Sequence, residues 1–352
     1  MKKSFFYILM LISLVILILI LDFLSSNYLL NKKNCFLFEK YFYSLEKNCT
    51  GTYRFKSSFP SNNIYTDENG LRVRHNYKKS NSDRNIFIFG DSFTFGVGLE
   101  YKDSYVGLLE EKYKEYNFFN FAVPSYSPSV YLHKLKEMID KEIFPKKILI
   151  FLDLSDVFDE ATRWKFNKKS MEAQLLNDDI FKKNQKIDFK EKNFKILKQV
   201  SSILNTELRY FRNKQKKEKK IKTSIQGNFT YKNYDNLNSD FWNKKKFNYG
   251  IIQIKSIFEE ISKISEAKET ELYLIIYPWV ETLEYGQDSF NWSNFSKNLC
   301  EGNCKFIDTI PYFIDYKKEN INWMFELYFP NDEHFNELGN KFLFEILKKN
   351  IF

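Results

Sequence analysis

The chain has 352 residues and a net charge of +9, from 54 Lys and Arg against 45 Asp and Glu. Its apolar fraction of 43% and aromatic fraction of 18% can fill a sizeable core, which excludes a disordered chain. With 11 Gly, 7 Pro and 4 Cys it is neither collagen-like nor a disulfide scaffold, and 3 His disfavour a His-rich metal centre.

The positive charge does not identify a nucleic-acid-binding protein. Lysine is abundant along the whole chain, together with Asn, Phe and Ile, and this indicates a compositional bias rather than one basic patch. No Walker-type loop and no GxGxxG sequence occurs, so nucleotide chemistry has no support. We therefore expect no nucleic-acid partner, no cofactor and no catalytic metal.

An uncharged apolar run at residues 4–21 predicts a membrane-spanning helix. Its eighteen residues would span about 27 Å, close to the hydrocarbon thickness of a bilayer. Lys2 and Lys3 before the run favour a cytoplasmic N-terminus, although two more lysines at 32–33 weaken that preference. A cleaved signal sequence is the alternative, but it would have a shorter apolar stretch and a small-residue cleavage site. We expect an uncleaved anchor at 1–30 and a periplasmic or extracellular remainder.

The four cysteines form two pairs that are close in sequence. Cys35 and Cys49 bracket a short segment after the predicted anchor, and Cys300 and Cys304 enclose three residues of a plausible tight loop. In an oxidising compartment we expect the disulfides Cys35–Cys49 and Cys300–Cys304. The alternatives are four unrelated thiols or a zinc site, which is disfavoured because no His lies near either pair.

After a membrane-proximal segment at 31–83, short apolar runs alternate with amphipathic stretches. Strands are predicted at 85–89, 118–123, 147–152, 271–277 and around 306–307, and helices at 129–143, 251–264 and 335–347. Continuously apolar strands that alternate with helices indicate a parallel sheet covered on both faces. We expect a flavodoxin-like, three-layer α/β/α domain over 84–352, with functional groups beyond the carboxyl ends of the strands.

Residues 161–246 interrupt the alternation and are interpreted as an insertion. The segment is rich in Lys and Asn, is most charged at 216–220, and has a helical pattern at 194–210. One interpretation is a cap that shapes a substrate cleft or binds an anionic polymer. The other is a solvated surface insertion, because charge runs are commonly solvated.

A candidate nucleophile, Ser92, follows the first predicted strand in the sequence Gly90-Asp91-Ser92. A serine at a tight strand-to-helix turn exposes its hydroxyl and offers its own backbone N–H to an oxyanion. These three residue types are also ordinary turn formers, so the motif alone is weak evidence.

The candidate general base is His334, which lies before the last predicted helix with Asp332 two positions earlier. Residues two apart in an extended segment point to the same side, so this carboxylate could orient the imidazole that takes a proton from Ser92. His75 lies in a basic, loop-like stretch, and His133 lies in a helix with apolar neighbours. Neither setting is typical of a catalyst.

Together these motifs resemble those of the SGNH/GDSL hydrolases. The segments at 90–96, 120–125, 152–156 and 332–339 are similar to the blocks of that family, in the same order, across residues 85–345. The 277–279 stretch and the later cysteine pair resemble membrane-anchored members found with bacterial surface-polysaccharide genes.

The resemblance implies an acyl-transfer triad with Ser92 as nucleophile, His334 as base and Asp332 as orienting acid. The acid of the family usually stands three residues before the histidine, where this chain has Asn331. A water or a main-chain carbonyl could orient the histidine instead of Asp332.

The resemblance also implies an oxyanion hole made by Ser92, Ser125 and Ser155. Ser92 and Ser125 would donate backbone N–H groups, with Ser125 at the position of the family's glycine. Ser155 stands where the family has an asparagine, and its hydroxyl has a shorter reach than an amide. Loss of one such donor lowers the rate by about 10²–10³-fold in a well-studied protease.

The expected function is a serine esterase that removes O-acetyl or other O-acyl groups from a cell-surface or exported glycan. An O-acyltransferase that uses the same site is one alternative. A catalytically degenerate glycan-binding or assembly protein is the other, and it is motivated by the departures at Ser125 and Ser155.

Overall fold

The computed structural model describes residues 2–26, 34–56, 59–77, 80, 82–167, 169–170, 172–176, 228–231 and 242–352. The chain divides into one unit of residues 1–34, 56–58 and 179–220 and a second of residues 35–55, 59–178 and 221–352. The helix predicted at 194–210 and most of the predicted insertion lie outside the described residues.

The main described element of the first unit is helix α1 (Lys2–Leu24). Its segment Phe5–Leu24 has a mean hydropathy of 2.9, and its apolar side chains are mostly exposed. Twenty residues of helix span about 30 Å, so α1 is long and apolar enough to cross a bilayer. A signal sequence meets the same criteria, so the uncleaved anchor and the topology stay predictions.

The second unit begins with short antiparallel strands. Strands β1 (Phe36–Phe38) and β2 (Tyr43–Leu45) pair with each other, and β3 (Thr50–Tyr53), β4 (Asn62–Thr66) and β5 (Arg72–Val73) form a three-stranded sheet. The two predicted disulfides, Cys35–Cys49 and Cys300–Cys304, are both confirmed. They agree with an oxidising compartment.

A five-stranded parallel sheet forms the centre of the second unit. Its strand order is β12-β11-β8-β6-β7. The remaining strands are β6 (Asn85–Phe89), β7 (Asn117–Asn120), β8 (Lys147–Leu152), β9 (Trp164–Asn167), β10 (Glu172–Leu175), β11 (Glu271–Ile276) and β12 (Cys304–Asp308). The side chains of β7 and β8 are buried along their whole length, as expected when helices cover both faces of a sheet.

Helices connect the parallel strands and close the domain. They are α2 (Ser92–Phe95), α3 (Tyr105–Lys112), α4 (Pro128–Asp140), α5 (Leu154–Thr162), α6 (Lys244–Ala267), α7 (Val280–Tyr285), α8 (Trp292–Lys297), α9 (Ile310–Glu319), α10 (Trp323–Leu327) and α11 (Glu337–Asn350). Helices α4, α5 and α6 pack together, and α3 packs with α11. Parallel strands are joined by right-handed crossovers as a rule, and with this strand order the rule puts the two groups on opposite faces of the sheet, in agreement with the three-layer α/β/α fold.

Most predicted element boundaries differ from the structure by a few residues, and local hydrogen bonds explain two of them. The strand predicted at 118–123 ends at Asn120, whose side-chain oxygen accepts the N–H of Ala122 as the chain turns away from the sheet. The last helix begins at Glu337 rather than at Phe335, because Phe335 pairs with Tyr328 in an isolated β-bridge. Asn336 then caps the helix through the N–H of Gly339.

The N-terminal strands contact the turns of the α/β domain directly. The Tyr43 hydroxyl donates to the carbonyl of Pro124 at 2.7 Å, and the Tyr126 hydroxyl donates to the carbonyl of Tyr43 at 2.5 Å. Both segments belong to the same compact unit. The predicted division of the chain at residue 84 stays a prediction.

Candidate active site

Polar side chains gather where three neighbouring parallel strands end. Strand β6 leads into Asp91 and Ser92, β8 leads into Asp153, and β11 leads into Tyr277. The carboxyl ends of parallel strands share one edge of the sheet, and ligand sites of open α/β sheets lie outside that edge. The sheet therefore brings together groups that are far apart in the sequence.

The turn after β6 presents Ser92 at the first residue of α2. The Asp91 side chain caps this helix by accepting the N–H of Phe93 at 3.0 Å. A Cβ atom at Gly90 would approach Oγ1 of Thr94 to 1.9 Å, so only glycine allows the turn to be this tight. The N–H of Ser92 has no acceptor within the helix because it belongs to the first turn, and it can donate to an oxyanion.

The geometry at Ser92 is that of a serine–histidine–carboxylate relay. Oγ of Ser92 lies 2.7 Å from Nε2 of His334, and Nδ1 of the same ring lies 2.5 Å from Oδ1 of Asp332. Ser92 and His334 are 7% and 3% exposed, so these contacts lie in a site that largely excludes water. With Nδ1 donating to Asp332, Nε2 is the acceptor that a general base requires.

A compact turn holds His334 in place. The N–H of Phe329 donates to the carbonyl of His334 at 2.9 Å, and the N–H of His334 donates to Oδ1 of Asp332 at 3.1 Å. Asn331, at the family's usual acid position, has a φ of 59°, in the left-handed region that asparagine tolerates. The turn therefore directs Asp332, and not residue 331, at the imidazole.

Aromatic rings surround the imidazole of His334. The ring centroids of Phe93, Phe55 and Phe59 lie 4.6, 5.0 and 6.1 Å from its own. No sequence motif assigns these residues to the site. Phe93 follows the candidate nucleophile directly, whereas the other two lie in an aromatic, aperiodic stretch that gives no signal of the contact.

The carboxylates near His334 determine its protonation. Burial lowers the pKa of His334, but its hydrogen bond to Asp332 and the charges of Glu333, Asp332 and Asp91 outweigh it, so the pKa is raised above its ordinary value. A histidine with a raised pKa stays protonated, and unable to accept a proton, up to a higher pH.

The pH dependence of hydrolysis follows from this shift. We expect kcat/KM to fall on the acid side as the pH passes down through the raised pKa of His334, because only the neutral ring accepts the proton of Ser92. In Asp332→Asn the acid limb should move to lower pH, and the plateau should fall at least about tenfold as the orienting carboxylate is lost. Glu333→Gln is the matched control, expected to move the limb in the same direction without the loss of plateau rate. A limb that stays in place in Asp332→Asn would show that another group controls it.

A second acceptor competes for the proton of Ser92. Oδ2 of Asp91 lies 3.1 Å from Oγ of Ser92, and a hydroxyl has a single proton to donate. Burial raises the pKa of Asp91, against the opposing charge of His334. When Asp91 is protonated it donates to Ser92, and the serine proton is then directed to the histidine.

Asp91 belongs to a buried cluster with Asp153. The Tyr277 hydroxyl lies 3.4 Å from both carboxyl groups, and Nε1 of Trp279 donates to Oδ2 of Asp153 at 3.2 Å. Burial and the charge of Asp91 raise the pKa of Asp153 to about 7. The pair therefore holds a proton near neutral pH, because two adjacent buried carboxyl groups ionise together only at a high energetic cost.

The two remaining predicted oxyanion residues are placed differently. Ser125 has a φ of 63°, the left-handed region that favours glycine, which fits its place at the family's glycine position. The Ser155 hydroxyl lies 2.6 Å from Oδ1 of Asp153 and 3.3 Å from Oδ2 of Asp91, so carboxyl oxygens engage its proton. In the part of the chain that the structure describes, neither serine bonds to Ser92 or His334, and both oxyanion assignments stay predictions.

The expected absence of a catalytic metal also stays a prediction. Asp332, Glu333 and His334 place potential ligand atoms within 4.8 Å of one another. The short contact between Asp332 and the imidazole already gives these groups a role in orienting the histidine. An acidic cluster alone does not identify a metal site.

Comparison with known proteins finds no matching family model and no matching curated protein. Similar solved structures include an acetyl xylan esterase, at 13% identity and a TM-score of 0.43, over 76% of this chain and 100% of that one. A lipolytic G-D-S-L family protein from Veillonella parvula has 11% identity and a TM-score of 0.43, over 76% and 98% of the two chains. A catalytic variant of an acetylxylan esterase from Geobacillus stearothermophilus has 14% identity and a TM-score of 0.39, over 78% and 97%. Likenesses at this level describe the fold, and the chemistry of this site is inferred from its own geometry.

Proposed function

We propose that this chain is a serine esterase of the SGNH/GDSL type that removes O-acetyl or other O-acyl groups from a glycan. The observation that carries the proposal is the contact of Ser92 with His334, at 2.7 Å, and of His334 with Asp332, at 2.5 Å. A hydroxyl, an imidazole and a carboxylate in this order form the constellation that activates a nucleophile for acyl transfer.

The reaction proceeds through an acyl-enzyme. His334 takes the hydroxyl proton as Oγ of Ser92 attacks the ester carbonyl, and the N–H of Ser92 stabilises the oxyanion. The protonated His334 then gives its proton to the leaving sugar hydroxyl. In the second half, His334 deprotonates a water molecule that attacks the acyl group, and its proton returns to Ser92.

The substrate class and location complete the proposal. The resemblance to membrane-anchored SGNH/GDSL members suggests an acylated glycan, and the two disulfides favour a compartment outside the cytoplasm. We propose that α1 anchors the enzyme, with the second unit on the periplasmic or extracellular side.

The proposal is tested by labelling and by product analysis on the full-length protein in detergent. We expect a fluorophosphonate to form one adduct, located on Ser92 by peptide mass spectrometry, and O-acetylated xylan to release acetate. Release that needs no added acceptor identifies an esterase, whereas transfer of the acetyl group only to an added sugar identifies the acyltransferase.

A glycan-binding protein without catalysis is the second candidate. This candidate is favoured by Ser155, which stands where the family has an asparagine that donates to the oxyanion. The hydroxyl of Ser155 contacts carboxyl oxygens of Asp153 and Asp91 instead. A folded protein that forms no adduct on Ser92 and releases no acetate would support this candidate over the esterase.

A further inference from the structure

A chain of polar contacts connects the buried carboxyl group of Asp153 to Ser92. Oδ1 of Asp153 lies 2.6 Å from Oγ of Ser155, and that oxygen lies 3.3 Å from Oδ2 of Asp91. Oδ2 of Asp91 in turn lies 3.1 Å from Oγ of Ser92. Asp91 and Asp153 are both buried and hold one proton near neutral pH. The contacts of the two carboxyl groups indicate which of them carries it.

The two hydroxyl groups beside Oδ2 of Asp91 have closer acceptors for their protons. Each hydroxyl has a single proton to donate. The shorter contact of Ser92 is with Nε2 of His334, at 2.7 Å, and the shorter contact of Ser155 is with Oδ1 of Asp153, at 2.6 Å. Once these protons are placed, Oδ2 of Asp91 faces two acceptor oxygens. An ionised oxygen is repelled there, whereas a protonated one donates.

Asp153 has more hydrogen-bond donors than Asp91. Its Oδ1 accepts the N–H of Ser155 at 2.8 Å as well as the hydroxyl, and its Oδ2 accepts Nε1 of Trp279 at 3.2 Å. Oδ1 of Asp91 accepts the N–H of Phe93. Asp153 also caps the nine-residue α5, whereas Asp91 caps the four-residue α2. Hydrogen bonds to the charged form and a longer helix both favour the negative charge on Asp153.

The other titratable groups around Asp91 do not favour a second negative charge. They are His334 before α11, Asp153, Asp156 and Asp159 at the start of and within α5, Tyr277 after β11, Tyr105 on α3 and Tyr131 on α4. None of these described groups is a permanent cation. While His334 is neutral, none of them offsets a negative charge on Asp91, and burial raises the pKa of Asp91 accordingly.

We propose that Asp91 is a further catalytic residue, a neutral carboxylic acid that donates a hydrogen bond from Oδ2 to Oγ of Ser92. The bond fixes the Ser92 hydroxyl so that its own proton points to His334, and it leaves a lone pair of Oγ for attack on the ester. The proton of Asp91 stays in place during acyl transfer. Buried carboxylic acids that remain neutral donate hydrogen bonds in other active sites. The inference rests on the proposed function and adds Asp91 to its site.

Loss of the Asp91 proton should stop catalysis. An ionised Asp91 accepts the proton of Ser92, turns it away from His334 and places a negative charge beside the oxyanion. We therefore expect kcat/KM for 4-nitrophenyl acetate to fall on the alkaline side, as the pH rises through the raised pKa of Asp91. Together with the acid limb of His334, this gives a bell-shaped profile.

The test replaces each carboxyl group by an amide in the full-length protein, because asparagine has the shape of a protonated aspartic acid. In Asp91→Asn, Oδ1 still caps α2 and Nδ2 donates to Ser92. We expect kcat/KM within about fivefold of wild type at neutral pH and no alkaline limb. In Asp153→Asn an amide N–H faces other donors, so kcat/KM should fall at least about tenfold. The exposed Asp140→Asn, at the end of α4, is the matched control and should equal wild type.

Thermal unfolding separates failure of this inference from failure of the proposed function, because it needs no turnover. The midpoint of Asp91→Asn at neutral pH should equal or exceed that of wild type, which must take up a proton at Asp91 to fold. The midpoint of Asp153→Asn should fall by at least about 2 °C. These midpoints support the inference even if no ester is cleaved. A lower midpoint, a larger loss of activity or a retained alkaline limb in Asp91→Asn overturns it, and so does an Asp153→Asn protein that equals wild type.

Discussion

Ser92→Ala is expected to lower kcat/KM for 4-nitrophenyl acetate by about 10⁴-fold or more, which leaves only the contribution of the oxyanion donor and of binding. The reason is geometric, since the described site places one hydroxyl, that of Ser92, within hydrogen-bond distance of Nε2 of His334. The hydroxyl of Ser155, which contacts Asp153 and Asp91, is not aimed at the imidazole. No neighbouring group can therefore take over the attack.

The same relay predicts strong non-additivity. His334→Ala should lose about as much activity as Ser92→Ala, and the double variant should lose little more, because the two groups act as one unit. Ser262→Ala is the matched control, on helix α6, which carries no member of the relay. Non-additivity is measured from the kcat/KM values of wild type, the two single variants and the double variant. Losses that add in the double variant, or a Ser92→Ala enzyme within tenfold of wild type, would exclude this mechanism.

The buried carboxyl groups of Asp91 and Asp153 affect the proton of Ser92 in a way that the Gly-Asp-Ser motif alone does not predict. Asp91 caps α2 and also contacts Oγ of Ser92, so one side chain shapes the turn and competes for the proton of Ser92. Its neighbour Asp153 has a pKa raised to about 7. Burial also raises the pKa of Asp91, and whenever Asp91 is the protonated member of the pair the serine proton is left to His334.

The central sheet could be predicted from the sequence because its strands are buried on both faces. Strands β6 and β8 are continuous apolar runs, and their predicted bounds are those of the structure. The relay was predictable for a different reason: each member lies in a short motif, and the two-residue spacing of Asp332 and His334 is a local property. The edge of a parallel sheet then brings the motifs together.

The remaining features depend on contacts between distant segments. The cluster of Asp91, Asp153 and Tyr277 has no spacing pattern, because each residue follows a different strand. The ring contacts of Phe55 and Phe59 with His334 likewise join distant parts of the chain, and the two phenylalanines lie in a stretch without hydrophobic periodicity. Periodicity reports which side of an element is buried, and it carries no information on which other element lies there.

Arg72 is the second residue whose loss should have a large effect, here on stability. Its side chain is fully buried. Nη1 donates to the carbonyls of Phe95 and Gly96, and Nη2 donates to the carbonyl of Leu99 at 2.6 Å. Burial lowers the pKa of Arg72 to about 10, so the group remains charged at neutral pH and its hydrogen bonds are charge-assisted. A residue of the N-terminal strands thus holds the loop that follows α2.

Arg72→Ala should lower the free energy of unfolding of the second unit by about 3–5 kcal/mol, because it leaves three buried carbonyls without these donors and opens a cavity. Activity should fall as well, since the freed loop follows α2 and the turn that presents Ser92. Arg72→Lys should be intermediate, because a single ammonium cannot span all three carbonyls. Urea unfolding of the full-length protein measures the effect, with the exposed Arg84→Ala as the matched control. An Arg72→Ala protein as stable as Arg84→Ala would mean that water replaces the guanidinium, and that the N-terminal strands do not support the turn that presents Ser92.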